Sequence, residues 1–237
     1  QPEFTQIDME MSFVDVEDIL DIGEGLMKRL FKEIKGIDIQ TPIPRMTFAD
    51  AMNRYGSDKP DTRFGMEIVD ISEAVRDVDF VVFKSALEAG GSVRAIVIKN
   101  GAAVYTRKEI DKLTEHAKGI GAKGLAYVRW LDDAPNCSFA KFLHEGELEA
   151  ILTAAGAEKG DVVLIAADKD KVVLPVLGAL RLIAAKKMDI IPKDKYNLLW
   201  IVEFPFFEYN DETGHWDAMH HPFTMPLDEC LDYIDTD

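Results

Sequence analysis

The amino-acid sequence predicts an α+β protein made of two structural units. Three observations carry this. Hydrophobic periodicity switches repeatedly between strand-like alternation and helical spacing. The pattern changes character near residue 64, where short helix and strand signals begin to alternate. Charge divides at the same place. Residues 64–188 hold 17 basic and 18 acidic residues, which leaves 10 basic against 25 acidic in the flanks, within a total net charge of −16. A near-neutral middle between strongly acidic flanks indicates separate units. The 237 residues and 47% apolar content suffice for one large core or two small ones.

Residues 3–13, EFTQIDMEMSF, alternate and predict a strand. Phe4, Gln6 and Asp8 share a face with Glu10 and Ser12. The opposite face, Thr5, Ile7, Met9, Met11 and Phe13, is expected to enter a core. Two readings of the polar face stand: the wall of a ligand site, or a half-solvated strand with one exposed aromatic. Asp15 is an N-cap for a helix reaching about residue 34, with Ile19, Ile22, Leu26, Leu30 and Ile34 at helical spacing and Gly36 ending it. Residues 41–44, TPIP, form a connector. Thr47 caps a short helix over residues 48–54.

Beyond residue 64 the spacing predicts helices over 72–78, 106–118, 145–155 and 171–187. Strands are predicted over 80–85, 93–98, 124–130 and 161–167. Gly90-Gly91 and Asn100-Gly101 mark turns between strands. Pro192 closes this unit. Residues 198–209, LLWIVEFPFFEY, predict a buried strand ending in an aromatic cluster. Residues 172–185 are the most apolar helical stretch, but Arg181 interrupts them, which fits a core helix rather than a membrane span. The chain opens without Met, so the gene is expected to begin elsewhere.

Two cysteines, Cys137 and Cys230, lie far apart and in no zinc-ligand spacing. Their scarcity fits a reducing cytoplasm. The acidic flanks repel a phosphate backbone, which argues against unaided nucleic-acid binding. Residues 106–118 carry several basic residues interleaved with acids, and read either as a solvated helix face or as an RNA-binding surface. RYGSDKPDTR, residues 54–63, reads either as a recognition loop or as a solvated turn. His220 and His221 are adjacent and precede Pro222, so they point to opposite sides of an extended segment and do not jointly bind one metal. One histidine facing a ligand and two satisfied loop histidines are both open.

Four segments together resemble one family. QPEFTQID (residues 1–8) resembles the returning half of motif 2 in class II aminoacyl-tRNA synthetases, in the bacterial aspartyl form. MHHPFT (219–224) resembles the segment that follows that family's inserted domain. RYGSDKPDTR and GAKGLAYVRW (121–130) resemble parts of the insertion, a GAD domain also found in the B-type subunits of tRNA-dependent amidotransferases. The order and spacing of the family run along essentially the whole chain.

The resemblance implies a fold in which pieces of an antiparallel-sheet catalytic domain (residues 1–63 and 189–237) flank an inserted α+β GAD-like domain (64–188). It implies that Gln1 and Phe4 contact ATP, with adenine stacked on Phe4. It places Gln6, Asp8 and His220 at bound aspartate, and leaves His221 structural. ATP and Mg²⁺ are implied for the complete enzyme, with neither held tightly by these 237 residues alone. Aspartate, ATP and tRNA are the implied partners of a cytoplasmic homodimer. The family's motif 2 arginine falls before Gln1, and its motif 3 arginine falls after Asp237. The 237 residues by themselves are therefore expected to contain no catalytic residue and to catalyse no ATP–pyrophosphate exchange. The alternatives are an amidotransferase subunit and a non-catalytic interaction module.

Overall fold

A computed structural model describes residues 3–131, 133–210, 213–219 and 226–233. The chain divides into two compact units, Gln1–Arg45 with Leu198–Trp200 and Met46–Asn197 with Ile201–Asp237.

In the first unit, helix α1 (Val16–Leu30) begins at the expected N-cap. The Asp15 carboxylate accepts from the backbone N–H of Glu17 and Asp18, and Asp18 accepts from the Asp15 N–H in return. This reciprocal box satisfies amides that a helix start leaves unpaired. The helix runs into a π-helical turn, Phe31–Lys35, and stops at left-handed Gly36. Its buried residues are Leu20 and Glu24. The predicted strand over residues 3–13 does not form. Those residues are extended or bent, without strand pairing, and both faces are exposed. A strand is held by an adjacent edge that accepts its amides, and among the described residues no strand offers one.

β1 (Arg45–Thr47) leads from the end of the first unit into α2 (Phe48–Tyr55) of the second, capped by Thr47 as expected. The remaining elements are β2 (Val69–Asp70), α3 (Val81–Glu88), β3 (Ser92–Ile98), α4 (Arg107–Gly119), β4 (Ala126–Arg129), β5 (Asn136–Cys137), α5 (Glu147–Ala155), β6 (Val162–Asp168) and α6 (Asp170–Lys187). β7 (Trp200–Val202), β8 (Phe207–Asn210) and β9 (His215–Ala218) follow.

An antiparallel five-stranded sheet, in the order β2-β3-β6-β4-β5, organises the unit. Alternation along its two longest strands sorts side chains between two cores. Ile96 and Ile98 of β3, with Val162, Leu164 and Ala166 of β6, pack with Ile110 and Leu113 of α4 and Leu177 of α6. Val93, Ala95 and Val97, with Val163 and Ile165, pack with Phe83 of α3 and Ile151 of α5. The sheet is therefore buried on both faces, which explains why VVLIAA reads as one continuous apolar run.

Several expectations fail here. Residues 80–85 are not a strand: helix α3 forms, burying Phe83 and Ala86 and exposing Val81 and Val82. A short apolar run has no decisive period, and the buried positions follow helical spacing. The helix expected over 72–78 shrinks to a 3₁₀ turn, Glu73–Val75. The buried strand expected over 198–209 is two short strands, β7 and β8, separated by Glu203 at φ 58°. β8 instead forms a hairpin with β9, leaving Phe207, Tyr209 and Trp216 exposed. Neither expected turn joins two strands: Gly90-Gly91 joins helix α3 to β3, and Asn100-Gly101 leads from β3 through a 3₁₀ turn to α4.

Candidate functional site

The residues singled out in the N-terminal segment are solvent-facing. Phe4 is 73% exposed, and Gln6 and Asp8 are exposed without a hydrogen bond to any described residue. Gln1, His220 and His221 lie outside the described residues. Of the expected contact residues, the described ones, Phe4, Gln6 and Asp8, are thus all exposed.

Nearby in the same unit, the α1 carboxylate Glu24 is a polar centre that the sequence reading missed. It is 5% exposed. Its Oε1 accepts from the Ile43 N–H at 3.0 Å and from the Trp200 indole Nε1 at 3.1 Å. Gly23 clears the way for the indole, since a Cβ there would lie 3.3 Å from the ring. A buried carboxylate survives only with such donors. At the helix start Arg45 forms a bidentate pair with Glu17, at 2.7 and 2.6 Å.

The second unit contains the most organised charged constellation. α2 ends at Gly56 with φ 67°, and α6 crosses directly over that turn. A Cβ on Gly56 would lie 2.0 Å from the Leu174 carbonyl oxygen, and one on Gly178 would lie 2.7 Å from the Tyr55 and Gly56 oxygens. Glycine at both positions lets two backbones touch. This seats residues 57–66 against α6, where Arg181 meets them.

Arg181 is 1% exposed. Its Nε donates to the carbonyl oxygens of Gly65 (3.1 Å) and Met66 (2.9 Å), and its Nη2 donates to those of Asp61 (2.6 Å) and Gly65. The Phe64 and Tyr55 rings lie near the guanidinium carbon, with centroids 4.1 and 4.8 Å away. A planar cation with a fixed fork of donors suits this environment better than an ammonium would. Burial lowers the Arg181 pKa from its ordinary value.

Carboxylates near this hub are committed elsewhere. Glu67 accepts both N–H groups of Arg54, at 2.8 and 2.7 Å, and the Tyr55 hydroxyl at 3.0 Å. Arg54 and Tyr55 hold the Glu67 carboxyl below the usual range, and burial followed by Glu67 pushes the Tyr55 phenol up. Asp61 is gripped by Arg63 at 2.9 and 2.7 Å, which lowers its pKa. RYGSDKPDTR is therefore not a freely solvated turn. Ion pairs and a buried arginine fix it. The signal was present in the sequence as one charge inside an apolar helix, a position that demands partners.

On α4, Lys112 pairs with Glu109 and Lys118 with Glu115, three residues apart rather than four. These pairs fit the solvated-face reading of residues 106–118. No described helix is long and apolar enough to cross a membrane. Among the described residues no three His, Cys, Asp or Glu groups are placed to hold a metal ion.

Comparison with known proteins gives the family. Residues 1–235 match the tRNA synthetases of class II (D, K and N). The chain belongs to that family. Among similar curated proteins, an aspartate–tRNA(Asp/Asn) ligase of Lachnoclostridium phytofermentans is 56% identical over 238 residues. An aspartate–tRNA ligase of Clostridium beijerinckii is also 56% identical, and one of Agathobacter rectalis is 54% identical. Each alignment covers 100% of this chain and 40% of the relative's length. The chain thus spans about two fifths of these relatives. The resemblance read from QPEFTQID and MHHPFT agrees with these matches.

Proposed function

We propose that this chain is part of an aspartate–tRNA ligase, an enzyme that activates aspartate with ATP to aspartyl-adenylate and transfers the aspartyl group to the 3′ end of tRNA. The observation that carries this reading is the match over the whole chain at 56% identity to proteins of that name. The amidotransferase-subunit and interaction-module readings have no such support.

On this proposal Gln1 and Phe4 serve ATP. A flat aromatic face accepts adenine, and stacking of this kind contributes roughly 1–3 kcal/mol per base. Gln6, Asp8 and His220 serve aspartate, the acceptors meeting its ammonium and the imidazole donating to a carboxylate oxygen. His221 is assigned a structural role. Residues 64–188 form the inserted GAD-like domain, with residues 1–63 and 189–237 belonging to the catalytic domain. The complete enzyme is a cytoplasmic homodimer. Mg²⁺ would neutralise ATP phosphate charge in the complete enzyme.

The test is aspartate-dependent ATP–pyrophosphate exchange in a full-length enzyme containing this segment. Loss of one charge-assisted hydrogen bond costs about 1–3 kcal/mol, so His220→Ala should lower adenylate formation roughly ten- to a hundredfold at an unchanged thermal midpoint. His221→Ala should lower the midpoint instead. Wild-type exchange in both variants refutes the assignment, and the reverse pattern exchanges the two roles.

A further inference from the structure

A cleft of about 240 Å³ opens between the residues that follow α2 and the middle of α6. Tyr55, Ser57, Lys59, Asp61, Pro175 and Arg181 are among its lining residues. Three groups there can donate to an anion. Arg181 uses Nε and Nη2 on backbone carbonyls, while its Nη1 makes no hydrogen bond to any described residue. The exposed Lys59 ammonium has no ion pair among the described residues. The Ser57 hydroxyl accepts from the Lys59 backbone N–H at 3.0 Å, which leaves its own O–H free to donate. Among the described residues Asp61 is the one carboxylate in the lining, and Arg63 occupies both of its oxygens. Arg181 gives its hydrogen bonds to carbonyl oxygens and feels the Asp61 and Glu67 carboxylates only through space, so an anion entering the cleft meets a guanidinium already stripped of water and with no direct carboxylate partner.

We propose that this cleft binds a single phosphate group, through Arg181, Lys59 and Ser57. The net charge of −16 opposes a long polyanion and favours a site for one phosphate over an extended nucleic-acid track. That phosphate is either the terminal group of a small molecule or one phosphodiester of an RNA strand. The site shares no residue with the proposed adenylate positions, so its failure and that of the ligase assignment are separate results.

The experiment titrates the ¹⁵N-labelled 237-residue chain with inorganic phosphate against sodium chloride of equal ionic strength. Phosphate should shift the amides of Ser57, Asp58, Lys59 and Asp61 and the Arg181 Nε–H. Lys59→Ala, at an exposed position and with an unchanged unfolding midpoint, should weaken the affinity about tenfold. A short fluorescein-labelled single-stranded RNA gives the second arm. If RNA shifts the same signals and the slope of log affinity against log salt falls by about 1 in Lys59→Ala, the phosphate is a phosphodiester. If only inorganic phosphate does so, it is the terminal group of a small molecule. The proposal is overturned if residues 57–61 respond no more to phosphate than to chloride. It is also overturned if Lys59→Ala binds phosphate as the parent chain does.

Discussion

Two regions of this protein carry the same kind of sequence and end differently. Residues 3–13 alternate apolar and polar side chains more regularly than β3 or β6 does, yet they form no strand, and Ile7 and Met9 face solvent. β3 and β6 are nearly continuous apolar runs, and they pair over seven residues with both faces buried. Alternation describes which way side chains point once a strand exists. Formation of the strand depends on a neighbouring edge that takes its backbone amides and on surface to cover its apolar face. The sheet of the second unit has both, from β2, β4 and two pairs of helices.

The sharpest way to break this comparison is to remove the buried cation of the second unit. Arg181→Met keeps side-chain volume but strands the carbonyls of Asp61, Gly65 and Met66. It should cost about 3 kcal/mol or more in a denaturant titration of the 237-residue chain. A loss below about 1 kcal/mol would show that α6 holds the loop by apolar packing alone.

The next effect is pH dependence. Arg54 depresses the folded-state pKa of Glu67, and Arg63 does the same for Asp61. A depressed carboxylate stabilises the folded state above its unfolded pKa, about 4.3 for Glu and 3.9 for Asp. That contribution is lost as pH falls through the lower folded value. Stability of the second unit should therefore decline below about pH 4, and the double variant Glu67→Gln, Asp61→Asn should decline less steeply. Parallel acid titration curves for the two proteins would remove these pairs from the account. Because Glu67 is partly exposed, solvent screening limits the size of its share.

The smallest effect belongs to the first region. Ile7→Ser should change the stability of the 237-residue chain by no more than about 0.5 kcal/mol, because Ile7 is 69% exposed. Backbone amides of residues 3–11 should exchange with solvent deuterium far faster than those of β3 and β6. Slow exchange there would mean that the segment has found a strand edge after all.

Much of the fold was readable directly. Asp15, Thr47 and Gly36 mark helix ends because a carboxylate, a hydroxyl and a left-handed glycine solve local hydrogen-bonding and steric problems. Helices α4, α5 and α6, and strands β3, β4 and β6, lie where periodicity put them, to within two residues. Residues 80–85 were misread because a six-residue apolar run fits either period, and only packing of Phe80 against Phe83, Phe139 and Phe142 selects the helix. The candidate site was proposed from motif resemblance, and the buried charged hub was not. Motif-like segments pointed to Phe4, Gln6, Asp8 and His220, yet no local pattern names the partners of Glu24 or Arg181.

Composition, caps and periodicity by themselves determined the α+β character and most element positions, since these depend on interactions within a few residues of chain, and four short segments carried the family resemblance. Only the tertiary structure decided which apolar segments became strands, which of the two cores each side chain entered, and what a lone charge inside an apolar helix was for. The physical reason is sequence distance. Arg181 finds the carbonyls of residues 61–66 more than a hundred positions away, through an approach of Gly56 to Gly178 that no local signal encodes.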